Sequence, residues 1–312
     1  MLTSKLAILT ATFCGCLSAQ ITADVKGVVT DQNGASVPNA KITVTSKETG
    51  ESRVVPADIE GRFGANQLKI GLYSVQAEAP GFRTAVTEAL LRSGETSAVN
   101  FKLEVGQVTE SVTVTDAVSP LDTTNAQIQV SIEGAKIQDI PVGRNPLLFA
   151  LTSPGVSPVT ANNPFLGTGS YNANGGRGRG NNITVDNITA SDISTTGNGG
   201  NQLGPLNFST IKEVKVITNN FSAEYGRNAS SQLQFITKSG TNEYHGEAYE
   251  FLQNDKLNAR DFFDQSGKPA ITRVNQFGGV FSGPVPGFRH KTQFLASYEG
   301  YQIRGAGAAR IW

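Results

Sequence analysis

Residues 211–246, IKEVKVITNNFSAEYGRNASSQLQFITKSGTNEYHG, begin with a β-prone segment and continue through an Asn-, Ser- and Gly-containing stretch. In the first segment Ile211, Val214 and Val216 alternate with polar residues, as in a strand with one side buried. Residues 219–226 (NNFSAEYG) follow, and QLQFITKSGTNEYHG runs from Gln232 to Gly246. Upstream, residues 183–188 (ITVDNI) form a further strand candidate, preceded by a Gly/Asn tract at 172–182 that reads as a loop. Residues 147–151 (LLFAL) are a short apolar helical or turn-like piece, ended by Pro154-Gly155.

Downstream the runs lengthen and gain aromatic residues. They are residues 243–251 (EYHGEAYEF), 273–283 (RVNQFGGVFSG) and 291–299 (KTQFLASYE). Phe277 and Phe281 share one side of their run, with Gln276 and Ser282 on the other. Phe294, Ala296 and Tyr298 oppose Gln293, Leu295, Ser297 and Glu299. A tilted membrane-crossing strand needs ~9–11 residues, with an apolar and a polar side. A soluble sandwich strand alternates in the same way.

Nearer the N-terminus, residues 21–105 alternate short β-rich runs with turns. The runs lie at 25–30, 41–46 (KITVTS), 62–63, 73–79 and 99–105, so six or seven strands in one antiparallel sandwich are expected.

The 312 residues carry 26 Lys+Arg against 26 Asp+Glu, and only 17% are charged. Zero net charge argues against a nucleic-acid binder that relies on bulk electrostatics. Residues 1–19 combine Lys5, an apolar stretch from Leu6 to Leu17 and small residues at Ser18-Ala19, the pattern of a secretory signal peptide. A buried N-terminal helix and a lipidated Cys16 are the alternatives. Cleavage after Ala19 removes both cysteines, so the exported chain would rely on strand pairing and packing rather than disulfides.

Residues 27–50, 58–63 (DIEGRF) and 71–84 (GLYSVQAEAPGFRT) resemble a carboxypeptidase regulatory-like domain. That resemblance implies a transthyretin-like sandwich, related in shape to carbohydrate-binding modules, over residues 20–105. It imports no catalysis, because no His/Glu ligand set is present there. Residues 183–187, 211–246 and 257–263 (LNARDFF) resemble the plug domain of TonB-dependent receptors, and the Oar-like subgroup in particular. The motif FSAEYGR…ITKSGTNEYHG carries most of the likeness. Two departures are Asn187, where the family usually has Gly, and Ser230-Ser231-Gln232. Asn tolerates the left-handed conformation, so the turn at 187 can survive. Residues 276–285 and 294–302 resemble the first Oar-like barrel strands.

The resulting fold class is mainly β. A transthyretin-like/carbohydrate-binding-like β-sandwich (20–105) follows the signal (1–19). A linker (106–125) leads to an α+β plug (126–240), and the first strands of an incomplete transmembrane β-barrel follow (241–312). Large plugged barrels have ~22 strands, and three cannot close one. The chain is therefore expected to be the N-terminal part of a longer protein, unable to transport by itself.

Within the linker, residues 110–115 (ESVTVT) are strongly β-prone. The run resembles a TonB box, and the resemblance assigns Val112, Thr113, Val114 and Thr115 to strand pairing with TonB, the energising protein of the inner membrane. The alternative is the last strand of the sandwich. Tyr73 and Phe82 could stack on a sugar, although an aromatic residue in a strand is more often core.

Other chemistry does not survive weighing. Asp31-Gln32-Asn33-Gly34 starts like a calcium loop but lacks its distal Glu. Residues 175–180 (GGRGRG) have no interleaved aromatic residues for RNA, and no strand–GxGxxG–helix context exists for a nucleotide. Ser209-x-x-Lys212 opens a β run rather than a helix. His245 and His290 have no ligand cluster around them in the sequence. No cofactor, metal or catalytic residue is expected, and no enzymatic activity. The expected partners are TonB, outer-membrane lipid and a large solute, with carbohydrate as the class the sandwich brings to mind; no nucleic acid is among them. The expected location is the outer membrane of a Gram-negative-type bacterium, with the sandwich in the periplasm. The competing function is a secreted or periplasmic carbohydrate-binding module.

Overall fold

A computed structural model describes residues 22–106, 111–113, 126–140, 145–158, 171–176, 180–190, 206–222, 224–226, 229–257, 271–287 and 292–305. The proposed signal, most of the linker and His290 lie outside these residues. The chain forms two compact units, one of residues 1–202 with 213–236 and the other of 203–212 with 237–312.

The first unit begins with the sandwich. Its strands are β1 (Thr22–Asp31), β2 (Lys41–Ser46), β3 (Ser52–Pro56), β4 (Arg62–Lys69), β5 (Gly71–Glu78), β6 (Thr84–Leu91), β7 (Thr96–Ala98), β8 (Phe101–Leu103) and β9 (Ser111–Thr113). One sheet runs β4-β1-β7, with β8 also on β1, and the other runs β3-β2-β5-β6-β9. The alternation expected for residues 41–46 is present, since Ile42 and Val44 are fully buried. Val25, Val29, Val75, Phe101 and Leu103 join them in one apolar core. Phe63 and Phe101 meet there with ring centres 6.2 Å apart.

Two expectations need correction. There are more strands than six or seven, because β3, β6 and β7 fall on none of the runs read from the sequence. TAVTEALL (β6) has the Ala, Leu and Glu content of a helix, and packing against β5 overrides that preference. Nor is the sandwich wholly antiparallel, because β7 and β8 pair parallel to β1, and β9 pairs parallel to β6.

The plug part of this unit contains β10 (Ile128–Glu133), a five-residue helix α1 (Ala135–Asp139), a 3-10 segment Pro146–Thr152, β11 (Val156–Pro158), β12 (Tyr171–Ala173), β13 (Asn181–Val185), β14 (Ile188–Thr189), β15 (Ile211–Asn219) and β16 (Ser231–Thr237). The five-stranded sheet is ordered β10-β15-β16-β13-β14, and β11-β12 form a separate ribbon. The apolar piece at 147–151 lies within the 3-10 segment, where the Asn145 side chain accepts from the Leu147 amide and where Phe149 and Ala150 are buried. Asp186 and Asn187 both take positive φ, 47° and 65°, so Asn187 holds the left-handed turn between β13 and β14 without glycine. Ser231 is fully buried and donates to Asn181 Oδ1 at 2.7 Å. A Cβ on Gly176 or Gly180 would lie 1.9 or 2.4 Å from Ser230 Oγ, so the glycines make room for the serine.

The second unit holds β17 (His245–Asn254), β18 (Thr272–Pro284) and β19 (Gln293–Gly305) as an antiparallel sheet β17-β18-β19. The register aligns rows across the three strands. Gly246, Phe281 and Ala296 form one row, Ala248, Gly279 and Tyr298 the next, then Glu250, Phe277 and Gly300. The Phe277/Phe281 side of β18 therefore continues into the Ala296/Tyr298 side of β19, giving an apolar band, interrupted on β17 by Glu250, on which Tyr298 is 67% exposed. Towards one end the same face turns polar, with Asn275 beside Gln302 and Arg273 beside Arg304. Phe281 packs against Tyr244 and Phe294, with ring centres 6.0 and 5.6 Å away. Length, apolar band and flanking polarity match the dimensions of membrane-crossing strands.

Candidate functional site

Ser111, Val112 and Thr113 pair in parallel with Thr84, Ala85 and Val86, which makes β9 the edge strand of the five-stranded sandwich sheet. Val114 and Thr115 lie outside the described residues. An edge strand carries one row of main-chain groups directed away from its neighbour, and strand addition uses such a row.

The aromatic pair considered for sugar stacking is placed differently. Tyr73 is only 5% exposed and belongs to the sandwich core, where burial raises its phenol pKa. Phe82 packs half-buried against the same core. The Tyr73 ring thus has no face to offer a sugar, because its strand turns it inwards. Among the described residues no cluster of His, Cys, Asp and Glu could hold a metal ion.

Within the first unit the sandwich meets the plug through one turn. The turn between β6 and β7, residues 92–95, is fastened to β1 by the Gly94 amide on the Thr22 carbonyl (3.1 Å) and the Asp24 amide on the Glu95 carbonyl (3.1 Å). Its outer side engages β10 and β15. Arg92 pairs with Glu133 at 2.7 Å, and Gln129 Nε2 donates to Glu95 Oε1 at 2.8 Å. Lys215 Nζ donates to the Ser93 carbonyl at 2.7 Å, and the Ser93 amide donates to Glu213 Oε2 at 3.3 Å.

Glu213 and Lys215 are 2% and 1% exposed. In a strand with alternating apolar residues such charged side chains ordinarily face water, and here the turn at 92–95 covers them. Burial pushes the Glu213 carboxyl above the ordinary range, more than the Ser93 amide and the Lys215 ammonium draw it back. The Glu133 carboxylate and other acidic neighbours hold the Arg92 guanidinium pKa up. The signal that could have found this site is a charge repeat, Glu213 and Lys215 at i and i+2, inside a run with apolar residues on both sides.

Beside this contact lies a cleft of about 580 Å³. Among the described residues its charged lining is Asp24, Glu95 and Glu224.

In the second unit, residues 207–210 are bonded to the polar side of the three-stranded sheet. The Tyr249 hydroxyl lies 2.9 Å from Asn207 Oδ1 and 2.6 Å from Glu299 Oε2, and Ser209 Oγ donates to Glu247 Oε1 at 3.0 Å. His245 is an exposed strand residue of this sheet.

Comparison with known families fits this architecture. Residues 24–104 match the carboxypeptidase regulatory-like domain, 120–231 the TonB-dependent receptor plug domain, and 236–310 an outer membrane beta barrel domain. In that order they are the domains of a TonB-dependent receptor with an N-terminal regulatory-like domain. The TonB-dependent transporter Oar of Myxococcus xanthus is 23% identical over 291 residues, covering 90% of this chain and 27% of that protein. The chain thus spans about a quarter of the curated relative's length. Among solved structures, hydroxyquinol 1,2-dioxygenase from Pseudomonas putida DLL-E4 aligns at 13% identity over 29% of this chain and 58% of that one, with a TM-score of 0.24. A streptococcal ancillary pilin aligns at 13% identity over 36% and 35%, also at 0.24. Neither score supports an argument about this chain.

Proposed function

We propose that the chain forms the sandwich, plug and first barrel strands of an outer-membrane transporter energised by TonB. The observation that carries this reading is the three-stranded sheet. Its register gathers an apolar band on one face, with polar residues towards one end, directly after a plug-matching segment. The domain boundaries are those given above, with a signal at 1–19 and a linker at 106–125. The linker segment Val112–Thr113–Val114–Thr115 pairs with TonB, and the sandwich faces the periplasm. The protein binds and moves a large solute and performs no covalent chemistry. The core position of Tyr73 takes away the aromatic-stacking argument for carbohydrate, so the solute is assigned by size class only.

Fractionation tests this. The protein expressed from its complete gene is expected in the outer membrane, resistant to extraction with carbonate or urea. Recovery in the soluble periplasm or medium would instead support a secreted sandwich module.

A further inference from the structure

The first plug strand is held from outside by the sandwich. β10 is the edge strand of the plug sheet and pairs with β15 on one side. It is also where the linker enters the plug, so tension on residues 107–125 reaches β10 before any other plug strand. Both ends of β10 are tied to one sandwich turn, through Gln129 to Glu95 near its start and Glu133 to Arg92 at its end. Between these ties, Ser93 engages Glu213 and Lys215 on the neighbouring strand β15. The Arg92 and Glu133 side chains are each 26% exposed, so their pairing is partly shielded from water and salt. The turn cannot yield alone, because Gly94 and Glu95 are bonded to β1.

We propose that residues 92–95 are a docking surface for β10 and β15, through which the sandwich clamps the first plug strand and must let go before that strand can leave the sheet. The mechanical consequence rests on the transport reading above; the clamp itself does not. A shielded ion pair suits this role, because losing one partner leaves the other without compensation, whereas reversing both charges can restore the contact.

The test is hydrogen–deuterium exchange on the protein expressed from its complete gene. Arg92→Glu alone and Glu133→Arg alone should each speed exchange in residues 129–133 by about 10-fold, between the effects of an exposed and a buried pair. The double reversal should return it towards the wild-type rate. Amides of β2 and β5 serve as the folding control and should not change. If the single variants leave residues 129–133 unaltered, or the double variant is no slower than the singles, the clamp is refuted. If β2 and β5 also speed up in a single variant, Arg92→Gln with Glu95→Gln takes its place and must show the selective effect. No coupling protein enters this measurement, so failure of TonB pairing elsewhere would leave its result standing.

Discussion

Val114→Pro is expected to reduce crosslinking of the receptor to TonB in intact cells by at least ~10-fold, the scale of one lost ladder bond with its local distortion. Strand addition takes its affinity from main-chain hydrogen bonds, and proline removes a donor from the middle of the proposed pairing segment. Thr115→Ala keeps the backbone intact and should change the yield by less than ~2-fold on the same argument. Equal crosslinking by the proline variant and the wild type would remove residues 112–115 from the coupling role. The pairing of Ser111–Thr113 with β6 gives this segment a second option. It can remain on the sandwich and offer its outer edge, or leave and pair elsewhere.

The second large effect is expected in the sandwich. A Cβ on Gly27 would lie 1.6 Å from the Val99 carbonyl oxygen and 2.9 Å from the Phe63 ring. Here the chain crosses from β7 to β8 against β1, with the Val99 amide on the Lys26 carbonyl at 2.8 Å and the Val28 amide on Asn100 Oδ1 at 3.1 Å. Because the clash is with backbone, it cannot be relieved by a rotamer change. Gly27→Ala should cost on the order of 3 kcal/mol, at the upper end for overpacking. That cost corresponds to a fall of about 15 °C in the melting transition of a domain this size. Gly64→Ala on the paired strand is the control. Its added Cβ would meet nothing closer than 3.8 Å, so it should leave the transition within about 2 °C, the scale of an innocuous surface change. Calorimetry that follows the sandwich transition in both variants checks the pair, and equal melting would contradict the close approach of β1 and residue 99.

Much of this was legible in the residues. KITVTS alternates and becomes β2 with the same bounds. The three aromatic runs near the end become β17, β18 and β19, and Phe277 with Phe281 take one side as their parity requires. Asn187 accepts positive φ in the place of a family glycine. Local signals of this kind follow from backbone geometry, which each residue carries with it. What stayed hidden depends on distant neighbours. Nothing in EVK at 213–215 says that a turn more than a hundred residues earlier will cover it, so two charges that read as solvated are buried. β6 reads as helix-prone because its strand state is imposed by β5. Tyr73 is a stacking candidate by type, yet its position in β5 turns it into the core.

These hidden contacts alter the picture of the sandwich. A sandwich with no contact to the plug would leave tension from the linker to act on β10 alone. Here the ties of Arg92 and Glu95 run beside the same strand, so sandwich and plug edge resist together. Carboxylates and a lysine at such a contact bring a desolvation cost, which the Glu213 carboxyl shows in its upward shift. The Ser93 amide and carbonyl offset part of it.

The most direct measurement is a pull-down with an immobilised peptide of residues 110–116 and the periplasmic domain of TonB from the same cells. Specific retention is expected, abolished by Val114→Pro in the peptide and insensitive to Thr115→Ala. Absence of retention by the native peptide, or equal retention by the proline peptide, would contradict the claim that this segment couples the receptor to TonB.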